Sequence, residues 1–149
     1  MRKLFLLFIL SVNVYSFELP NKEVTSGDYD TLLDKKTLCV PNYTSGKDED
    51  GNNVRHVPQK IKNIVFQEYG ILKEDRSNYV IDHLVNLSNG GLNNLYNLWP
   101  QPKEEGHKKD RLENKLHKMV CNGEISLKEA QEAIKDNWVV AYSKYVEEE

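Results

Sequence analysis

Residues 79–112 read YVIDHLVNLSNGGLNNLYNLWPQPKEEGHKKDRL, and the order of elements in the fold is predicted from them. It begins with a short run, Tyr79–His83, whose apolar start and two polar last residues predict a β-strand. The polar residues of Asn86–Asn97 predict a loop, in which Gly90 and Gly91 permit positive φ. The loop therefore allows the chain a tight return beside the first strand.

A second strand and a helix complete the central stretch. Leu95–Trp99 predicts the second short strand, stopped by Pro100 and Pro102. Gly106–Cys121 then predicts a helix, which Asn122 and Gly123 end. Its apolar stripe consists of Leu112, Leu116, Met119 and Val120. The order strand, strand, helix indicates an α+β domain.

Four polar side chains stand where these elements begin or end: Asp82, His83, Asn97 and His107. A strand pair followed by a helix brings the four together. A carboxylate and an imidazole can hold one divalent ion. A second, unliganded histidine can take a proton from an attacking water, and an amide can fix the tautomer of that histidine.

Each of these residues taken alone has a plainer interpretation. Asp82 and His83 alone read as a polar surface pair, Asn97 as a turn residue, and His107 as an exposed residue at a helix N-terminus. His56 and His117 lack such company and read as structural or surface histidines. The catalytic interpretation therefore depends on the joint order of the four.

The series Asp82-His83, Gly90-Gly91, Asn97 and His107 resembles the HNH endonucleases, which have the ββα-metal fold, or His-Me finger. The flanking sequences NLWPQP and HKKDRLE, which begin at Asn97 and His107, look like those of small bacterial and phage HNH proteins. The resemblance extends from about Thr31 to Tyr145. It implies an α+β fold with a ββα-metal core and additional flanking helices.

The resemblance also implies a role for each residue. His83 is the expected general base. Asp82 and His107 are the expected ligands of one divalent metal ion, with Mg²⁺ preferred over Mn²⁺, Ni²⁺ or Zn²⁺. Asn97 is expected to orient His83 and to pin the loop. The interval from Asn97 to His107 is one residue longer than the common pattern, so Asp110 is an alternative to His107.

The remaining elements are predicted from local patterns. Thr37–Tyr43 predicts a short strand interrupted by Pro41, and Pro58–Tyr69 predicts a helix that Gly70 ends. Ser126 and Glu129 match a capping box. The helix that follows carries one apolar face, made of Leu127, Ala130, Ile134, Trp138, Ala141 and Tyr145.

The N-terminus carries a targeting pattern. Met1–Ser16 has a basic start, seven consecutive apolar residues and a small residue at its end, which predicts a cleaved signal peptide. Its apolar run is too short for a membrane anchor. Residues 17–30 are expected to form a flexible arm, and residues 31–149 the nuclease domain. The predicted location is therefore the periplasm or the extracellular space, with no membrane attachment after cleavage.

Export bears on the two cysteines, Cys39 and Cys121. In an oxidising compartment such a pair usually forms a disulfide, and the alternative is two free buried thiols. Two cysteines 82 positions apart without a Cys-x-x-Cys pair make a zinc site improbable.

The net charge of the chain limits which binding partners the sequence predicts. The 149-residue chain is formally −3, and loss of Arg2 and Lys3 with the signal leaves −5, so a nucleic-acid interpretation depends on local features. The expected function is a metal-dependent endonuclease of low sequence specificity acting on DNA, and also on RNA as a further option, with Arg55 as a candidate phosphate contact. The alternatives are a non-cutting metal- and nucleic-acid-binding module of the same fold and a purely structural secreted protein.

Overall fold

The computed structural model describes residues 19–47, 51 and 53–148. The signal peptide predicted over Met1–Ser16 lies outside the described residues. The helices are α1 Lys35–Leu38, α2 Gln59–Glu68, α3 Gly106–Asn122 and α4 Leu127–Tyr142, and the strands are β1 Tyr79–His83 and β2 Leu98–Pro102. Single 3-10 turns cover Arg76–Asn78, Leu87–Asn89 and Leu95–Asn97, and a π turn covers Ser143–Glu147. The predicted α+β class is confirmed.

The second strand runs through its prolines, which corrects the predicted end at Trp99. β1 and β2 pair antiparallel, with Ile81 opposite Pro100 and Tyr79 opposite Pro102. Leu84 N donates to Asn97 O, and hydrogen-bonded and non-hydrogen-bonded residue pairs alternate along the ladder from that point. Both prolines fall in non-hydrogen-bonded pairs, where no N–H is donated to the partner strand. The sheet of the described residues has two strands, so no further strand pairs with the outer edge of β2. That edge therefore needs no N–H donor either.

The loop between the strands depends on both glycines, for different reasons. Gly90 has φ 83°, as the sequence allows. Gly91 is needed instead for close approach, since a Cβ there would lie 1.7 Å from Val85 O. The loop is thereby folded tightly against the end of β1.

Helices α3 and α4 form the main core with the sheet. α3 ends at Gly123, which has φ 81° and donates its N–H to Val120 O. The Ser126 hydroxyl caps α4 by accepting a hydrogen bond from Glu129 N at 3.0 Å. The fully buried apolar side chains of this core are Leu38, Leu84, Val85, Trp99, Leu112, Leu116, Val120, Ala130, Ile134 and Trp138.

One feature of α4 is absent from the sequence prediction. Asn137 has φ −165° and ψ 95°, so the helix kinks there. Its side-chain oxygen accepts hydrogen bonds from Val139 N and Val140 N, and it therefore caps the second half of the helix. Trp138 remains buried beside the kink.

Helix α2 was predicted correctly and covers the other side of the sheet. Gly70, with φ 64°, follows its last turn. Val65 of α2 packs with Val57 and Leu98 in a second, smaller apolar cluster. This packing places the segment before α2 beside the end of β1.

The strand predicted over Thr37–Tyr43 is wrong. The chain forms the short helix α1 there, because Asp34 caps it by accepting a hydrogen bond from Thr37 N at 2.8 Å. Asn42, with φ 63°, then turns the chain. Leu38 is fully buried in the main core.

The segment before α1 contacts the rest of the domain from Asn21 onward, where the Asn21 N–H donates to the Tyr69 hydroxyl. The Thr25 hydroxyl donates to Leu98 O at 2.8 Å and lies 2.7 Å from the Tyr69 hydroxyl. Tyr29 forms a β-bridge with Gly91. The flexibility expected for residues 17–30 stays a prediction, since these contacts do not measure motion.

The disulfide between Cys39 and Cys121 is confirmed. It joins the residue after α1 to the end of α3 across a sequence separation of 82. None of the helices in the described part of the chain has the length and apolar character of a membrane span.

Candidate active site

A cavity of about 360 Å³ opens where β1 ends against α3. Asp82 and His83 enter it from β1, and Arg55 and Lys62 face it from the segment before α2 and from α2 itself. Helix α3 contributes Asp110, Glu113 and Asn114, and the loop after β1 contributes Asn86, Leu87 and Ser88. The cavity therefore combines acids, one imidazole, amides and two cations.

A buried lysine joins the strand to the helix beneath this cavity. Lys109 is 0% exposed, and its ammonium donates to Asp82 Oδ2 at 3.0 Å and to His83 O at 2.7 Å. It also forms an ion pair with Glu113 one turn further along α3. Lys109 therefore fixes one carboxylate oxygen of Asp82, while 32% of the Asp82 side chain stays exposed.

The carboxylates of Asp82 and Glu113 stabilise the charged form of Lys109. Burial acts to lower the pKa of Lys109, but the carboxylates of Asp82 and Glu113 outweigh burial and hold that pKa above its ordinary value. Burial raises the pKa of the Glu113 carboxyl, and Lys109 opposes this change. The lysine is accordingly a permanent cation within the described site.

His83 is held by an asparagine that the sequence analysis did not select. His83 Nε2 lies 2.9 Å from Asn93 Oδ1. Burial lowers the pKa of His83 below its ordinary value, and the contacts with Asn93 and Asp82 oppose only part of this change. A lowered pKa favours the neutral imidazole, which is the form that a general base requires.

Asn97 pins the loop, as one part of its predicted role requires. It is fully buried, and its Oδ1 accepts from Val85 N at 2.9 Å. Its Nδ2 donates to Val85 O and to Leu92 O, both at 2.8 Å. These three bonds use both N–H donors of the amide and one lone pair of its oxygen, all with backbone partners, and the side chain that contacts the His83 ring is Asn93.

The structure does not bring His107 into the cavity. His107 is exposed in the first turn of α3 and is not among the residues that line the cavity. Asp110 and Asn114 lie on the same helix face, one and two turns further on, and both line it. The register of α3 against β1 therefore presents the second and third turns of the helix, including the alternative residue Asp110.

The donors around Asp82 suit a hard cation better than a soft one. The described residues contain no group of three or more His, Cys, Asp or Glu side chains arranged to hold a metal ion. Mg²⁺, however, is usually held by one or two carboxylates, with water and phosphate oxygens completing its shell. Asp82 with Asp110 or the Asn114 amide oxygen fits this requirement.

Arg55, one of the two cations that line the cavity, is hydrogen-bonded to the loop that contains Thr44. Arg55 is exposed, and its Nη2 donates to Thr44 Oγ1 at 2.7 Å. Lys62 lies on the next element, α2, and lines the same cavity. A guanidinium and an ammonium that face a carboxylate and an imidazole suit a phosphodiester better than a cationic or an apolar ligand.

Three residues of the site gave no usable signal in the sequence. A lysine such as Lys109 normally lies in solvent, and only its i,i+4 spacing to Glu113 hints at an ion pair. Asn93 stands among several loop asparagines, and nothing local distinguishes it. Asn114 lies one turn beyond Asp110, the alternative ligand, and would have required the helix register to be known.

Comparison of the chain with protein families, curated proteins and solved structures finds no match.

Proposed function

We propose that the chain is an exported, metal-dependent endonuclease that hydrolyses phosphodiester bonds in DNA, with a ββα-metal core formed by β1, β2 and α3. One observation carries this proposal: Asp82, His83, the α3 oxygen donors and Arg55 line the same cavity. These are the groups that phosphodiester hydrolysis needs, namely a base, a site for a hard cation and a cation for the phosphate.

His83 is the general base of the proposed reaction. Its neutral imidazole takes a proton from water while the water oxygen bonds to phosphorus. The P–O bond to the 3′ oxygen breaks and a solvent water protonates the leaving oxygen, which gives a 5′-phosphate and a 3′-hydroxyl. A positioned base contributes about 10²–10⁴-fold to the rate.

Asp82 and the oxygen donors of α3 hold the divalent ion, Mg²⁺ being the best match. When bound, the ion supplies charge stabilisation to the phosphate and to the leaving oxygen. Lys109 holds Asp82 Oδ2, so the carboxylate keeps a defined orientation towards the cavity. We assign Asp110 and Asn114 to this role in preference to His107, because they line the cavity and His107 does not.

Arg55 and Lys62, which line the same cavity as Asp82, bind the phosphate backbone. Contacts of this kind position the substrate without reading bases, so the proposed enzyme has low sequence specificity. Phosphate contacts release counterions from DNA, so binding weakens as salt rises. Because the formal charge of the mature chain is negative and few cations contribute, we expect modest affinity. The disulfide supports export to an oxidising compartment, periplasmic or extracellular.

Plasmid nicking tests the proposal. The oxidised mature chain, residues 17–149, is incubated with supercoiled DNA in Mg²⁺, Mn²⁺ or EDTA. We expect nicking in either metal and none in EDTA. The Asp82→Ala variant is expected to lose nicking, and the surface variant Asp75→Ala, a matched control, to retain it. Absence of nicking together with a Mn²⁺-induced rise in Tm contradicts the enzyme and favours the non-cutting module.

A further inference from the structure

The Asn93 side chain bridges the two halves of the candidate site. Its Oδ1 contacts the His83 ring, and its Nδ2 donates to Val54 O at 3.2 Å and to His56 O at 2.9 Å. Val54 and His56 flank Arg55, which faces the same cavity. One amide therefore connects the imidazole on β1 to the loop that carries the arginine.

The two carbonyl contacts fix the orientation of this amide. An asparagine side chain has two N–H donors on nitrogen and only acceptor capacity on oxygen. Both donors are used by the carbonyls of Val54 and His56, and the flipped amide would place oxygen against oxygen. The atom that faces His83 is consequently Oδ1, an acceptor.

An acceptor beside Nε2 determines the tautomer of the neutral imidazole. A neutral histidine carries its proton on one ring nitrogen and a lone pair on the other. Asn93 Oδ1 stabilises the proton on Nε2, so the lone pair resides on Nδ1. The amide thus fixes which ring atom can accept a proton.

We propose that Asn93 is a positioning residue that holds His83 in the Nε2–H tautomer and anchors the loop that carries Arg55. The inference rests on the proposed function for its catalytic consequence, because the base and the phosphate contact are assigned there. A single side chain then orients both the imidazole of His83, which accepts the proton, and the loop whose arginine binds the phosphate.

Two substitutions separate the two roles. Asn93→Ala removes the acceptor and both donors, so the tautomer and the loop anchor are lost together. Asn93→Asp retains an acceptor for Nε2–H but has no donor for the carbonyls of Val54 and His56. Asn122→Ala, at the exposed end of α3, is the matched control outside the cavity.

The first measurement is the ¹H–¹⁵N correlation spectrum of the histidine rings in the metal-free mature chain, at a pH where imidazole is neutral. The His83→Ala variant assigns the signals. We expect His83 to be protonated on Nε2 in wild type, Asn93→Asp and Asn122→Ala, and to shift towards the Nδ1–H form in Asn93→Ala. An unchanged tautomer in a folded Asn93→Ala overturns the inference.

The second measurement is steady-state cutting. We expect Asn93→Ala to lower kcat by about 10–100-fold, the usual effect of removing a partner that orients a functional imidazole. Asn93→Asp should mainly raise KM, because the arginine loop is released while the imidazole stays oriented. Wild-type kcat and KM in both variants overturn the inference. If wild type itself does not cut, the proposed function fails, and the tautomer measurement decides the inference alone.

Discussion

Lys109 shows how a single residue can fix both the fold and the candidate site. Its ammonium is fully buried and satisfied by Asp82, Glu113 and the His83 carbonyl. Removing one partner of a buried ion pair leaves the other charges without compensation, which costs about 3–5 kcal/mol. The residue therefore stabilises the contact between β1 and α3 on which the cavity depends.

We predict that Lys109→Met lowers the free energy of unfolding by about 3–5 kcal/mol. The measurement is urea denaturation, and Lys118→Met on the exposed face of α3 serves as the matched control. Adding Glu113→Gln to Lys109→Met should recover part of the loss, because one uncompensated carboxylate is then removed. Equal stability of Lys109→Met and the control would argue against the buried network.

At the scale of elements, the register of α3 decides which of its turns can serve a metal ion. His107 lies in the exposed first turn, whereas Asp110 and Asn114 line the cavity. The sequence places all three on one helix face, so spacing alone does not choose between them. The choice comes from packing, since Leu112 and Leu116 are fully buried and set how α3 lies on the sheet.

Mn²⁺ binding separates these residues. Calorimetric titration should show weaker binding for Asp110→Ala and Asn114→Ala, by about 10-fold or more, in line with losses seen when groups around a metal are removed. His107→Ala should bind as wild type does. Loss of binding in His107→Ala with none in the other two variants would restore His107 as the ligand and reject the register argument.

The elements also show what local patterns can predict. The Leu112–Leu116–Val120 stripe and Gly123 predicted α3 correctly, and the apolar run of β1 predicted its strand. The Thr37–Tyr43 strand was predicted wrongly because Asp34 caps a helical turn, and within the described residues no strand pairs with this segment. The prediction that proline ends β2 was wrong. Whether a strand position tolerates proline depends on the pairing register, which is a tertiary property that a single sequence does not show.

The residues of the candidate site could likewise be predicted only in part. Asp82 and His83 were found from their place at the end of β1, and both line the cavity. Lys109 and Asn93 were missed because their partners come from distant parts of the chain: Lys109 reaches back to β1, and Asn93 contacts the 54–56 backbone. Long-range hydrogen bonds leave no periodic signal in a single sequence.

At the scale of the whole molecule, the disulfide closes the longest covalent loop in the described structure. It links α1 to α3 and thus encloses α2, both strands and the cavity. Restricting the unfolded chain over a loop of about this length contributes roughly 4 kcal/mol in the chain-entropy model. The closed loop ties the N-terminal elements to the helix that forms one wall of the site.

We predict that replacing Cys39 and Cys121 together by serine lowers the free energy of unfolding by about 3–5 kcal/mol. Urea denaturation of oxidised wild type and of the double variant measures this difference. Reductant should bring wild type towards the variant and leave the variant unchanged. A reductant effect on the variant itself, or equal stability of both proteins, would contradict the assigned role of the disulfide.

We propose that His83 acts as the base of a metal-dependent nuclease, and single-turnover cutting of a labelled DNA duplex tests this role. Wild type, His83→Ala and His56→Ala, a matched histidine with an exposed side chain, are compared in Mg²⁺ and in EDTA. We predict metal-dependent cutting by wild type and His56→Ala, and a rate lower by about 10²–10⁴-fold in His83→Ala. Equal rates for wild type and His83→Ala, or cutting that persists in EDTA, would contradict the account.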